Sequence, residues 1–310
     1  MAGLPPSYGL GVVSLHNKAE RPTLPSNNRV SSSDFVAVIT GAGKGIGYHI
    51  ALSYAQAGAR GLVVSSRTQS DLDQLTKQIK GINSSIEVLA LVSDASKKAD
   101  VDRLAAETHK RFGRADVVVA NAGVFTKAFT AQDGSTRTPA NILEDDDFER
   151  VIDINFIGTY YLAKAFVPLL KSTPNGAKAF VAITSVVSHF PSSGFSPVSY
   201  NVSKLAQNRL IESLHNDFHQ DTGLTFYAVH PGVVATPAVT SLTELSDGSK
   251  WDAFLNDDVD LCGGFLTWLT ASKRDWLSGR YIMSNWDVKE LESKKEDIVK
   301  GDLFKFQMTV

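Results

Sequence analysis

From residue 35 to residue 283, short apolar runs alternate with longer amphipathic stretches. Residues 35–39 (Phe-Val-Ala-Val-Ile) are apolar and rich in β-branched side chains. That pattern predicts a strand covered on both faces, as parallel strands are. Similar runs predict strands at 61–66, 86–92, 116–120, 179–184, 224–229 and 280–283. Helical spacing predicts helices at 48–57, 70–80, 97–112, 151–170, 198–218 and 262–270. Gly58 supplies a stop for the first helix, and Ser70 a possible N-cap for the second. Alternation of this kind implies an α/β fold: one doubly wound parallel sheet of about seven strands, Rossmann-type, with helices on both faces. Residues 1–34 are rich in Pro, Ser, Asn and Gly without a period, and are expected to be an N-terminal extension. Residues 35–286 form the expected domain. Residues 287–310 form a charged, helix-compatible C-terminal tail, expected to dock on the surface.

The first predicted strand runs into Thr40-Gly-Ala-Gly-Lys-Gly-Ile-Gly47 and then into a helix. A strand, a glycine-rich turn and a helix in this order suit a pyrophosphate. Gly41 permits backbone angles other residues avoid, and Gly45 and Gly47 are expected to let phosphate oxygens approach backbone N–H groups. Lys44 and Ile46 lie within the same turn. The cofactor choice is read near the end of the second strand. Residues 60–70 contain no Asp or Glu, but offer Ser66 and Arg67. Arg67 lies 20 residues past Gly47, where a dinucleotide fold inspects the adenosine ribose. Arg67 and Lys44 together predict a clamp for a 2′-phosphate, hence NADP(H) over NAD(H).

Tyr200-Asn-Val-Ser-Lys204 opens a predicted helix, and the spacing of four places both side chains on one face. An ammonium beside a phenol favours the phenolate, so Lys204 is expected to lower the Tyr200 pKa. A phenol tuned in this way can exchange a proton with an alcohol oxygen near neutral pH. Tyr160 and Lys164 share the spacing, but lie inside an apolar helix with no serine-bearing strand end before them. Tyr160 is therefore read as core or interface. Tyr200 follows a strand, 179–184, that delivers Ser185 at its carboxyl end, where open parallel sheets bind ligands.

Together these segments resemble the short-chain dehydrogenase/reductase family, classical type, over roughly residues 35–283. The resemblance rests on the glycine turn, Asp94, Asn121-Ala122-Gly123, Asn155, Ser185, Tyr200 with Lys204, and Pro231-Gly232 leading to Thr236, in that order. It implies that Tyr200 is the general acid of carbonyl reduction. It implies that Lys204 bonds the nicotinamide ribose, Ser185 holds the substrate oxygen, and Asn155 supports a water-linked proton relay to Lys204. Asp94 would bond the adenine, residues 121–123 would line the cofactor floor, and Val234 and Thr236 would meet the carboxamide. Two features depart from the family. Ala120 stands where an Asn is usual, and Ser185 precedes Tyr200 by 15 residues, farther than the family's usual interval. Ser188, 12 residues before Tyr200, is the competing serine.

Composition narrows the setting. The 310 residues carry a net charge of −2 with 43% hydrophobic content, which gives no reason to invoke nucleic acid or an acidic membrane surface. The single cysteine, Cys262, excludes an internal disulfide and fits a reducing, cytoplasmic setting. No apolar run is long enough for a membrane span, and no secretory signal is evident. His215 and His219 share a helix face, but no third ligand accompanies them, so no metal is expected. His189 and His230 flank the expected cleft and are read as packed. The acidic run 144–147 is expected to complement the dipole of the helix that follows it. The apolar helix 151–170, with the helix after Tyr200, suggests a homodimer or homotetramer. Phe125, Phe129, Phe190, Phe195, Trp251 and Phe254 lie in the loops expected to meet substrate. They point to an apolar ketone or alcohol of the specialised-metabolite kind. The alternatives are a nucleotide-binding regulator or scaffold without turnover, and a lyase or isomerase on the same fold.

Overall fold

The computed structural model describes residues 12–17, 30–130, 136–139, 141–191, 196–236 and 255–308. Strand β1 (Val36–Thr40) is buried along its whole length and splits its side chains between two cores. Ala37 and Ile39 face one layer and Val36 and Val38 the other, the two-residue alternation of a strand. Helix α1 (Gly45–Gln56) begins inside the glycine turn, three residues before the expected start. Strand β2 (Gly61–Ser66) and helix α2 (Gln69–Ile82) follow. Thr68, not Ser70, holds the α2 N-cap position, without a side-chain cap bond.

Strand β3 (Glu87–Val92), helix α3 (Lys98–Phe112) and strand β4 (Val117–Ala120) complete the first half. The expected helix 151–170 is a longer composite. Helix α4 (Phe148–Ile152) passes through one π turn (Asp153–Ile157) into helix α5 (Gly158–Ser172). Such single wide turns often mark functional positions, and this one contains Asn155. Strand β5 (Ala179–Ile183), helix α6 (Val198–Thr222), strand β6 (Thr225–His230), helix α7 (Leu261–Ala271) and strand β7 (Arg280–Met283) follow. Two short helices, α8 (Val288–Ser293) and α9 (Lys295–Lys300), end the fold.

The seven strands form one parallel sheet in the order β3-β2-β1-β4-β5-β6-β7. Chain order reverses between β1 and β4, so the two crossovers there leave opposite faces and open a crevice at the carboxyl ends. Ile50, Tyr54, Leu72, Phe265 and Leu266 cover one face, and Val101, Leu104, Phe166 and Ile211 the other. Each such buried side chain contributes roughly 1.5–3 kcal/mol. Segments flanking the expected domain also enter the first core: Val13 before it, and Val288, Leu291 and Ile298 after it. Leu15 bridges Trp286, and the backbone exchanges bonds between His16 and Asn285 (2.7 Å) and between Asp287 and Ser14 (2.8 Å).

Gly47 borders the crevice, and a Cβ there would stand 2.5 Å from the Gly41 carbonyl oxygen and 2.3 Å from Asn121 Nδ2. Its missing side chain lets α1 close onto the turn. Asp147 of the acidic run holds the N-cap position of α4, at the positive end of that helix, without a side-chain cap bond. Asp147 also pairs with Arg150, and Asp145 reaches a different helix.

Candidate functional site

The carboxyl ends of the central strands open into one cavity of about 510 Å³. The glycine turn forms one end. Gly41 has φ +64°, and a Cβ there would sit 2.7 Å from Ala122 Cα, so the turn needs both the angle and the absent side chain. Asn121 braces this corner, its Nδ2 donating to the carbonyls of Thr40 (2.9 Å) and Gly41 (3.1 Å). Gly45, at φ +59°, faces Thr236 across the cavity. All the expected cofactor-contacting residues line this space: Gly41, Lys44, Gly45, Ile46 and Gly47 from the turn, and Ser66, Arg67 and Asp94 from the next two strand ends. Asn121, Ala122, Gly123, Pro231, Gly232, Val234 and Thr236 line it from the other side. Gly232 takes φ +92°, which lets Asp257 accept the Val233 N–H at 2.7 Å.

The charges at the Ser66 end are more mixed than expected. Lys44 Nζ lies 3.4 Å from Asp71 Oδ2, so an acid from the first turn of α2 shares the pocket with both cations. Burial works to raise the Asp94 pKa. Hydrogen bonds from the Ser96 hydroxyl and amide, with the charges of Arg67 and Lys97, outweigh it and hold the carboxyl below its usual range. Sequence reasoning missed Asp71 because it falls just past the strand end that was inspected.

At the other end stand Ser185, Tyr200 and Lys204, all lining the cavity. The Ser185 hydroxyl acts on the Tyr200 phenol as a neighbour that favours its ionised form. Ser188 does not line the cavity. Its hydroxyl donates to the Ser185 carbonyl (2.7 Å) and accepts from Asn208 Nδ2 (2.9 Å). Lys204 Nζ lies 5.5 Å from the Tyr200 ring centroid, and donates to the Ile183 carbonyl (2.8 Å) and to Gln207 Oε1 (3.0 Å). The expected fall in the Tyr200 pKa is not found. Burial pushes the phenol up to about 12, against the opposing Ser185 hydroxyl, and burial pulls Lys204 down to about 7. Desolvation disfavours both charged forms, so it overrides the attraction that sequence spacing suggested.

Asn155 is buried and does not line the cavity. Its side chain is zipped to Val124, with Oδ1 accepting the amide at 2.8 Å and Nδ2 donating to the carbonyl at 3.0 Å. The π turn leaves its main-chain carbonyl to accept from Thr159 Oγ1 (2.7 Å) and Gln207 Nε2 (2.8 Å). Lys204 is therefore linked to Asn155 through the Gln207 amide. Gln207 was legible only as the residue one turn beyond Lys204 on the same face.

The remaining histidines have structural partners. The Val186 N–H donates to His230 Nδ1 (3.2 Å), and burial, helped by nearby His189, pulls His230 down to about 3. His189 is pulled down to about 4 by burial and stacks on Phe306. His215 and His219 stack on each other and bond Ser278 and the Leu224 carbonyl. No group of three or more potential metal ligands occurs among the described residues. Tyr160 is 43% exposed on α5, which excludes the core reading for it. Phe125 and Phe190 line the cavity, whereas Phe195, Trp251 and Phe254 lie outside the described residues, as does the Phe129 side chain.

Comparison with known proteins places this geometry. A family model described as short chain dehydrogenase matches residues 35–246. Short chain dehydrogenase pgmD of Aspergillus terreus is 37% identical over 312 residues, covering 99% of this chain and 96% of the relative. Short chain dehydrogenase mpl6 of Monascus purpureus is 32% identical over 310 residues, covering 99% of both. Among solved structures, levodione reductase matches in fold with TM-score 0.69 and 21% identity, over 82% of this chain and 96% of that one. A short chain dehydrogenase from Shigella flexneri complexed with NADP matches with TM-score 0.69 and 21% identity, over 84% and 99%. With its sheet, crevice and sequence in agreement, the chain belongs to the short-chain dehydrogenase family of oxidoreductases.

Proposed function

We propose that the protein is an NADPH-dependent oxidoreductase that interconverts a ketone and a secondary alcohol, with Tyr200 as general acid and base. One observation carries the reading: the glycine cradle and the three side chains Ser185, Tyr200 and Lys204 share one cavity. The cradle fits a dinucleotide, because Gly41 and Gly45 hold positive φ where the turn borders the cavity. Gly41, Gly45, Ile46 and the α1 N-terminus would hold the pyrophosphate, Asp94 the adenine, and Val234 and Thr236 the carboxamide. Arg67, with Lys44, would hold the 2′-phosphate. When bound, the nicotinamide supplies or accepts the hydride.

The chain's own residues then manage the substrate oxygen. Ser185 donates a hydrogen bond to the carbonyl oxygen and stabilises the charge that develops there. Tyr200, protonated at neutral pH because burial raises its pKa, holds the proton that this oxygen takes. Lys204 stabilises the phenolate left behind and is kept in place by Ile183 and Gln207. Apolar side chains line much of the cavity, among them Val124, Phe125, Val187, Phe190, Val233 and Leu255. The Phe125 ring centroid lies 4.6 Å from that of Tyr200. Such a wall suits an apolar, aromatic or polycyclic ketone of the specialised-metabolite kind better than a sugar.

The exposed side chains Phe148, Tyr160, Val202 and Leu205 lie on α4, α5 and α6 and would be covered in a homodimer or homotetramer. Light scattering at micromolar concentration should therefore give a multiple of 33.5 kDa, and a monomer mass would remove the proposal.

Three variants test the chemistry. Tyr200→Phe should lower kcat on a ketone panel by at least ~10²-fold while NADPH fluorescence titration still reports binding. Undiminished turnover would refute the acid–base role, and wild-type binding without turnover on any ketone would favour a regulatory protein. Arg67→Ala should weaken NADPH by about tenfold or more, the value of a charge-assisted contact, and NADH little. An unchanged preference would overturn the phosphate clamp. Lys204 has a folded pKa of about 7 against a reference of 10.5. Between these values the unfolded chain holds a proton that the folded chain lacks, so this group makes stability rise with pH across that window. The stability of wild type relative to Lys204→Met should therefore rise from pH 7 to pH 10 in chemical denaturation, and parallel curves would contradict the assignment.

A further inference from the structure

One carboxylate of the acidic run 144–147 lies between two segments at the reacting end of the cavity. Asp145 is buried just before α4, and both its oxygens are engaged with other segments. Oδ1 accepts from the Thr126 hydroxyl at 3.2 Å, and Oδ2 accepts the Ser199 N–H at 2.8 Å. Ser199 lies in the first turn of α6, next to Tyr200. The N-cap of that helix is Pro197, which makes no side-chain cap bond. The free amides of the first turn and the positive end of the helix dipole attract a carboxylate. Asp145 supplies one from 54 residues earlier in the chain.

The other oxygen connects this helix end to the segment carrying Phe125. Three consecutive residues of that segment are gripped by the acidic loop and the start of α4. Arg150 Nη2 donates to the Phe125 carbonyl (3.1 Å), Asp145 accepts from Thr126, and Asp147 Oδ2 accepts the Lys127 N–H (3.1 Å). Arg150 and Asp147 are also paired with each other. Phe125 in turn packs its ring on Tyr200. The loop thus bonds the chain neighbours of both rings: the single Asp145 side chain holds Thr126, next to Phe125, and Ser199, next to Tyr200.

We propose that Asp145 is a positioning residue that couples the substrate-facing segment 124–127 to the N-terminus of the Tyr200 helix and so fixes the Tyr200 hydroxyl relative to the bound ketone. The proposal rests on the ketone-reduction reading above. Misplacement of a reacting group by about 1 Å can cost ~10²-fold in rate, so the loss of one tether should appear in kcat. Asp145 does not line the cavity, and nucleotide binding at the far end should be spared.

Three variants and two readouts test this. Asp145→Asn keeps the size but replaces one acceptor oxygen by a donor. Thr126→Val removes one arm with little change in volume, and Asp145→Glu keeps both acceptors. Asp145→Asn should lower kcat for ketone reduction about tenfold, with the NADPH Kd within about twofold of wild type. Thr126→Val should lower kcat about threefold, the double variant should be no worse than Asp145→Asn, and Asp145→Glu should recover part of the loss. Amide hydrogen exchange at Ser199 should accelerate in Asp145→Asn and not in Thr126→Val. Full kcat in Asp145→Asn, losses that multiply in the double variant, or NADPH affinity falling in parallel would overturn the proposal. If wild type reduces no ketone, the reaction assigned above fails, and the exchange at Ser199 alone decides the tether: unchanged exchange refutes it.

Discussion

An amine is held in the interior of this protein, at the carboxyl edge of a parallel sheet, and much of the local structure follows from satisfying it. Lys204 is 4% exposed, and a buried ammonium costs several kcal/mol unless its donors are used. The end of β5 provides the Ile183 carbonyl, and α6 provides Gln207 one turn farther along. Gln207 is itself fully buried and must place its own amide hydrogens. They go to the Asn155 carbonyl and the Thr159 hydroxyl. That carbonyl belongs to the π turn at Asp153–Ile157. The wide turn, the glutamine and the lysine thus form one buried polar network, in which each member accounts for the next.

The same network sets the protonation states. Burial lowers Lys204 to about 7 and raises Tyr200 to about 12, so the pair is poised with the phenol protonated and the amine near its titration point. A phenol next to a fully charged, hydrated ammonium would behave in the opposite sense. The site therefore resembles a desolvated donor pair more than a preformed ion pair. The far end of the cavity is different in kind. Lys44, Asp71, Arg67 and Asp94 place mixed charges there, where solvent screens them.

Segments outside the sheet pack around this arrangement. The acidic loop before α4 ties the Phe125 segment to the N-terminus of α6. On the opposite side, residues 12–17 and the helices α8 and α9 close the core beneath β7, with Trp286 fully buried between them.

The sequence by itself determined the sheet and its partners. Runs such as 35–39 and 179–183 are apolar throughout because each strand is covered on both faces, and that one-dimensional signal survives without knowledge of neighbours. The glycine turn, Arg67, Ser185 and the Tyr200–Lys204 spacing were legible for the same reason: their chemistry depends on near neighbours in the chain. Folding decided what depends on distant ones. Gly47 is glycine because Asn121 and Gly41 crowd it, Ser185 rather than Ser188 faces the cavity because Asn208 engages the latter, and Asp145 serves a helix 54 residues away. Burial reversed the expected direction of the Tyr200 shift, since desolvation is a property of the packed environment and not of the spacing between two residues.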